Sequence, residues 1–417
     1  MNMIYETFSN GILPETARKS VVALIFKKGD RKLLKNYRPI CLSNYDYKIL
    51  SFVLANRLQK VIHKLINPVQ TGYIKNRSMN TNIRLIMEII EHCEMQGSPG
   101  AIISLDFEKA FDSLNWDFML TIMSKYGFGD FFSRWIKILY NDPLLLIKNN
   151  GWLSKEIPML RGIRQGCPLS ALLFILSVEC LSIKLRESKV IKGIEIGSVE
   201  FRILQYADDS ILTVANDTSL QNSLKVIQDF TKVSGLKLNF DKCEGLWLGS
   251  LKGSPEDIFG ITFKEQPLRV LGVYVGKNES LCQSKNWDLK IEKVEKLLTK
   301  WESRKINLYD KVMVVKSLVM PIITLNLSVL VVPIQILNQI QKLIFNFIWG
   351  KIHKVKMKTV IGHYEDGGLG VPDIFSRERA LKASWFSRLL SESNLSNIFE
   401  THINRCGISL AVLLKMT

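Results

Sequence analysis

With 417 residues, 47% of them hydrophobic and 23% charged, the chain can bury more than one core and is not a disordered tail. The 56 Lys and Arg against 39 Asp and Glu leave a formal charge of +17, which favours a polyanion, either nucleic acid or an anionic membrane surface. The seven cysteines, Cys41, Cys93, Cys167, Cys180, Cys243, Cys282 and Cys406, form no C-x-x-C pair and have no histidine at ligand spacing. That pattern indicates neither a disulfide framework nor a zinc site, and it suits a reducing, intracellular setting. The first residues lack the basic and long apolar regions of a signal peptide. The most apolar region, 312–333, is interrupted by Lys316, Pro321 and Asn326, so it reads as a buried helical segment and not as a membrane span.

In chain order, the run from Val21 to Phe26 is strand-like and leads into a basic turn, Lys27-Lys28-Gly29-Asp30, followed by Asn36-Tyr37-Arg38-Pro39-Ile40. Lysines and an arginine on such a hairpin either fold over a triphosphate or are simply solvated. Between Asn44 and Ile66, Leu50, Leu54, Leu58, Val61 and Leu65 recur at helical spacing, so a core helix is expected, capped near Ser43 or Asn44. The polar stretch 70–78 connects it to a second helix over 81–94. In that connector, Lys75 and Arg77 either touch a nucleic-acid backbone or are surface charges. An apolar β-type run from Ala101 then ends in Asp106, and Phe111 follows, either beneath a sugar or in the core. Helices are expected over 115–126, stopped by Gly127, and over 131–141. The loop 161–170 carries Gly166, which lets a backbone approach closely, and Pro168, suited to the first turn of the apolar run 171–185.

The most informative stretch is Tyr206-Ala207-Asp208-Asp209, between the β-rich runs 201–205 and 210–214. It reads as a hairpin with acids at its tip. Adjacent carboxylates repel, so they need solvent or a cation. Asp106 sits in a matching context, and two strands of one sheet would present Asp106 and Asp208 side by side. Two-metal phosphoryl or nucleotidyl transfer needs such a cluster, with hard Mg²⁺ ions about 3.5–4 Å apart clamping the attacking and leaving oxygens. Further on, Asp217 caps a helix over 218–233 that Gly235 stops. Lys242, ahead of a strand over 245–248, is a candidate general acid for a pyrophosphate leaving group. The stretch 269–276 reads as a tight hairpin suited to gripping a primer strand. Beyond it, helices over 287–304, 308–320 and 334–349 form a separate helical domain. There Lys290, Lys293 and Lys296 either line a duplex groove or pair with Glu292 and Glu295.

Four motifs occur in order: Asn-Tyr-Arg-Pro-Ile from Asn36, Leu-Asp-Phe-Glu-Lys-Ala-Phe-Asp from Leu105, Arg-Gln-Gly-Cys-Pro-Leu-Ser from Arg164, and Tyr-Ala-Asp-Asp from Tyr206. With Phe347-Ile348-Trp349-Gly350 and Gly367-Gly368-Leu369-Gly370, they resemble the reverse transcriptases of non-LTR retrotransposons of the long-interspersed-element type, over nearly the whole chain. The resemblance implies an α+β right-hand polymerase: fingers over 1–95, an antiparallel-sheet palm over 96–280 with a fingers return around 115–170, a helical thumb over 281–350, and a post-thumb helical segment over 351–417. It implies RNA-templated DNA synthesis from a DNA primer 3′-hydroxyl, using deoxynucleoside triphosphates and two Mg²⁺ ions, with Mn²⁺ as substitute. Asp106, Asp208 and Asp209 would bind the metals with the backbone carbonyl of Phe107, and Phe111 would be the sugar gate. Arg38 and Lys28 would meet the triphosphate, Gln165 and Gly166 the nascent base pair and template, and Lys242 would donate the proton. Ala171 stands where the family commonly has proline, a change expected to affect helix entry more than chemistry. Neither an endonuclease nor a cysteine-rich segment is visible, so the chain reads as a truncated copy. The alternatives are a catalytically inactive RNA-binding relic, a maturase-like protein, or a group II intron reverse transcriptase. The element's life cycle places it in a cytoplasmic ribonucleoprotein and the nucleus, with no membrane partner.

Overall fold

The apolar run from Ala101 to Leu105 becomes the strand Gly100–Leu105, buried along nearly its whole length, inside a six-stranded sheet. Across that sheet the order is Asp257–Ile258, Ile261–Phe263, Glu244–Leu248, Gly100–Leu105, Asp209–Val214 and Ile203–Tyr206. Gly100–Leu105 is antiparallel to both neighbours, with Leu105 opposite Ser210 and Ser104 opposite Glu244. A continuous apolar run is what a strand covered on both faces requires. The helix Ser170–Glu187, buried without interruption from Leu172 to Glu179, packs into the same core. A second sheet is built on Lys19–Phe26, antiparallel to Tyr37–Ser43 and parallel to Leu144–Asn149. Trp152–Leu153 and Ile157–Pro158 extend it from Leu144–Asn149, so residues after 140 return to the N-terminal sheet.

The computed structural model describes residues 2–251, 257–265, 267–350 and 355–391. These divide into two compact units. Met1–Asn82, Met95–Ile194 and Phe201–Glu265 form the first; Ile83–Glu94, Glu195–Glu200 and Gln266–Thr417 form the second, as far as they are described. The chain is α+β, with both larger sheets in the first unit.

Local signals account for most of the helices. Asn44 caps Tyr45–Gln59 by accepting from the Asp46 amide at 3.0 Å, and Ser78 caps Met79–Gln96, which Gly97 ends at φ 64°. Asn115 caps Trp116–Lys125. Three expectations in the first unit need correction. The helix expected over 44–66 breaks after Gln59 and resumes as Ile62–Leu65, which leaves Val61 exposed and not in the core. Asp217–Ser234 is capped by Asn216, whose side chain accepts from the Ser219 amide at 2.8 Å; Asp217 lies in the first turn, where its charge suits the helix dipole. The run 201–205 is split at Arg202 into Val199–Phe201, which pairs with Ile194–Ile196, and Ile203–Tyr206.

In the second unit, Leu268–Val270 and Val273–Val275 form the expected hairpin, with Leu271 at φ 48° and Gly272 at φ 86° in its two-residue turn. The following helix opens at Glu279 and not near Trp287, because Asn278 caps it by accepting from the Leu281 amide at 3.0 Å. Leu308–Val329 is one helix running through Pro321. A π-helical turn at Val315–Val319 makes this possible by relieving the clash of the proline ring with the preceding turn. By length and composition this helix could cross a membrane, but 56% of its most apolar window is buried inside the structure. Val312, Val315, Val319, Ile323 and Leu327 share a core with Leu337, Ile340 and Ile344 of Ile334–Trp349. Of the expected segment 351–417, Met357–Ile361 and Ile374–Ser391 are helical; 351–354 and 392–417 lie outside the described residues.

Candidate active site at the end of the central sheet

Tyr206 and Asp209 face each other as the closing pair of a hairpin whose two-residue turn is Ala207-Asp208. Ala207 has φ 57°, a left-handed conformation that costs an L-residue roughly 1–2 kcal/mol, so something must hold it there. The holder is Gln70, 1% exposed, whose Oε1 accepts from the amides of Ala207 and Gly72, both at 2.9 Å. The backbone continues the clamp, with Thr71 N–H donating to Gln205 O at 2.9 Å and Gln205 N–H to Val69 O at 3.0 Å. Gly72 is required by proximity: a Cβ there would lie 2.5 Å from the Ala207 nitrogen. The stretch 70–73, read from sequence as a connector, is therefore a buttress for the acidic turn.

Asp106 follows Leu105, so the strand register carries it to the position across from Asp209. Its backbone is zipped to 237–239, with Asn239 N–H donating to Asp106 O and Glu108 N–H to Lys237 O, both at 2.8 Å. Phe107 bridges Leu238 between those two bonds, which leaves the Phe107 carbonyl outside that ladder. Lys242 places Nζ 3.0 Å from Asp106 Oδ2. Desolvation in the cleft, with the charge of Asp106 adding to it, raises the Asp208 carboxyl above the ordinary range, against Lys27 and Arg38. Asp209 is pushed up to about 6, first by desolvation, then by the charges of Asp208 and Asp106. Of the two exposed lysines of the basic turn, Lys27 is the one whose charge acts on both acids, although the resemblance singled out Lys28.

A crowded carboxylate set with too little positive charge around it suits a hard divalent cation. As they stand, no three His, Cys, Asp or Glu side chains among the described residues converge to hold an ion alone. Asp106 is turned to Lys242, and magnesium sites of this kind are ordinarily completed by substrate phosphate oxygens.

Phe111 stacks on Phe174 with ring centroids 4.4 Å apart, and its ring and that of Tyr73 are nearly perpendicular at 6.5 Å. Gln165 Nε2 donates to Asp112 Oδ1 at 2.9 Å, and the Gln165 carbonyl accepts from Cys41 N–H at 2.8 Å. Gly166 has φ 105°, and a Cβ there would lie 2.9 Å from the Cys41 carbonyl, so the close approach it permits is to the neighbouring strand. Arg164, fully buried over the Tyr47 ring at 4.2 Å, anchors this loop through Nη2 to Arg18 O at 3.0 Å. Arg38 lies exposed on Tyr37–Ser43, opposite Ile25.

The remaining cations are placed unevenly. Lys75 is exposed, but Arg77 is an internal brace: its guanidinium donates to the carbonyls of His63, Ile66, Asn67 and Gln70 at 3.2, 2.9, 2.7 and 2.8 Å. Those carbonyls lie in and beyond the short helix Ile62–Leu65, so the guanidinium, read from sequence as either a backbone contact or a surface charge, is engaged inside the fold. In the second unit, Lys293 and Lys296 are exposed, Lys296 pairing with Glu292. Lys290, half-buried, donates to Asn326 Oδ1, and burial pushes its ammonium down to about 8.

An α+β chain with an acidic hairpin and a third acid on adjoining antiparallel strands has the architecture of a right-hand polymerase. Residues 25–275 match the family described as Reverse transcriptase (RNA-dependent DNA polymerase), and the chain belongs to that family, in its non-LTR retrotransposon branch. It is 30% identical over 394 residues to the transposon TX1 uncharacterized 149 kDa protein of Xenopus laevis, covering 93% of this chain and 30% of that protein. It is 25% identical over 422 residues to the Pol polyprotein of the type-2 retrotransposable element R2DM of Drosophila melanogaster, covering 97% of this chain and 38% of that protein. The chain thus spans about a third of the length of these relatives. Telomerase from Candida albicans, in complex with a TWJ fragment of telomeric RNA, aligns at 11% identity and TM-score 0.49 over 95% of this chain and 67% of that one.

Proposed function

We propose that the chain is the catalytic core of an RNA-directed DNA polymerase that extends a DNA primer 3′-hydroxyl along an RNA template. The observation that carries this reading is the placement of Asp106 and the Asp208-Asp209 turn at one end of adjacent strands, with the turn's carboxyls pushed up by desolvation and mutual charge. Asp106, Asp208, Asp209 and the Phe107 carbonyl would hold two Mg²⁺ ions, or Mn²⁺ in their place. Bound there, the metals would acidify the attacking hydroxyl and neutralise charge on the pyrophosphate.

The protein groups do the rest. Arg38, Lys27 and Lys28 receive the triphosphate, Arg38 as a planar fork and the lysines as mobile charges. Phe111, braced by Phe174, lies under the incoming sugar and excludes a 2′-hydroxyl. Gln165, its amide held by Asp112, meets the nascent base pair beside Gly166. Lys242, released from Asp106, gives its proton to the departing pyrophosphate. Residues 1–95 act as fingers and 96–280 as palm, and the helices 281–350 act as the thumb, where Lys293 and Lys296 meet the duplex backbone.

The test is Mg²⁺-dependent incorporation of deoxynucleotides on a poly-rA template with an oligo-dT primer, comparing the chain with Asp208→Asn. Roughly a thousandfold loss in the variant is expected. A folded wild type that binds RNA and incorporates nothing would instead make the chain a binding module.

A further inference from the structure

Tyr73 is in a conformation its own chemistry opposes. It follows Gly72 with φ 58°, a region a bulky aromatic rarely enters, yet 54% of its surface is exposed, so burial of the ring does not explain the strain. Two neighbours explain why the backbone cannot relax. Gln70 and the Gly72–Ala207 contact lock the preceding residues to the acidic turn, and the Tyr73 carbonyl accepts from Gln59 Nε2 at 3.4 Å. Where the ring goes is informative. Its edge meets Phe111 at 88° and 6.5 Å, while its phenol is pushed up by desolvation and then by the charge of Asp208. The side chain therefore meets the aromatic residue proposed to lie under the sugar, on the segment that is clamped to the acidic turn.

We propose that Tyr73 is a substrate-contacting residue that, with Phe111, forms the aromatic slot for the sugar and base of the incoming deoxynucleoside triphosphate. The inference rests on the polymerase reading above. The rigid coupling of 70–73 to Ala207 gives it a physical basis: one clamp sets both the wall of the slot and the acidic turn. Nucleotide rings are recognised well by exposed, pre-positioned aromatic faces.

Steady-state incorporation on poly-rA and oligo-dT, with primer–template affinity and melting temperature measured in parallel, separates the possibilities. Tyr73→Gly removes the ring and relieves the left-handed strain, so the melting temperature should stay within about 2 °C of wild type. Its KM for the deoxynucleotide should rise at least about fivefold while the primer–template Kd is unchanged. Tyr73→Phe, which restores the ring, should return KM to within about twofold. An unchanged KM in Tyr73→Gly overturns the inference, as does a loss confined to primer–template affinity, which would give the ring to the primer. A melting temperature that falls as KM rises, unrescued by Tyr73→Phe, assigns Tyr73 to the fold and also overturns it. An inactive wild type overturns the polymerase reading and this inference with it.

Discussion

Replacing Asp209 with asparagine should stabilise the metal-free protein while abolishing incorporation. The folded carboxyl is raised from an ordinary 3.8 to about 6, by desolvation and by the charges of Asp208 and Asp106. At full weight, that displacement corresponds to about 3 kcal/mol of preference for the protonated form. Asp209 is exposed at the sheet end, and solvent screening brings the expected penalty down to about 1 kcal/mol. The sign follows from proton linkage. Between about 4 and about 6 the folded state holds a proton that the unfolded state has released, so wild-type stability falls as pH rises through that window and stays lower above it. The neutral amide carries no such penalty. Thermal melts in EDTA should place Asp209→Asn about 1–2 °C above wild type at pH 7.5, with the gap closing near pH 4. Adding Mg²⁺ should raise the wild-type transition and narrow the difference, since only an intact acid set gains by binding. A variant no more stable than wild type at pH 7.5, or a gap that ignores pH, would refute the electrostatic argument.

Gln70→Ala leaves the amides of Gly72 and Ala207 without their acceptor, and should cost about 2–4 kcal/mol, read from denaturant midpoints; a loss below about 1 kcal/mol would show that the turn holds itself. Lys242→Met breaks an exposed ion pair with Asp106 and should change stability by less than about 1 kcal/mol. If Lys242 is the proton donor, kcat in the same variant falls about a hundredfold with KM little changed, and an unaltered kcat removes that role. Phe111→Val should weaken discrimination against ribonucleotides at least about tenfold, measured as a ratio of kcat/KM values; retained discrimination would leave the ring a purely structural partner of Phe174.

What the sequence by itself determined were features signalled within a few residues. The strand ending in Asp106, the hairpin carrying Asp208 and Asp209, the helix stops at Gly127 and Gly235, and the hairpin at Leu271-Gly272 all follow from runs of apolar residues punctuated by turn chemistry. Adjacent near-matches were harder to separate: Asn216 and Asp217 are both good caps, and only backbone geometry decides between them. Tertiary structure alone decided how distant residues met. Gln70 reaches Ala207 across 137 positions, and Gln165 reaches Asp112 across 53. The same holds for charges whose roles looked alike in sequence. Arg77 is spent on four backbone carbonyls, Lys290 is half-buried against Asn326, and Lys27 acts on the acids from the turn it shares with Lys28. A local pattern records the cost of a backbone conformation, which each residue carries with it. The partner that satisfies a buried donor or charge is set by chain segments that meet only when the core closes, and no local pattern encodes it.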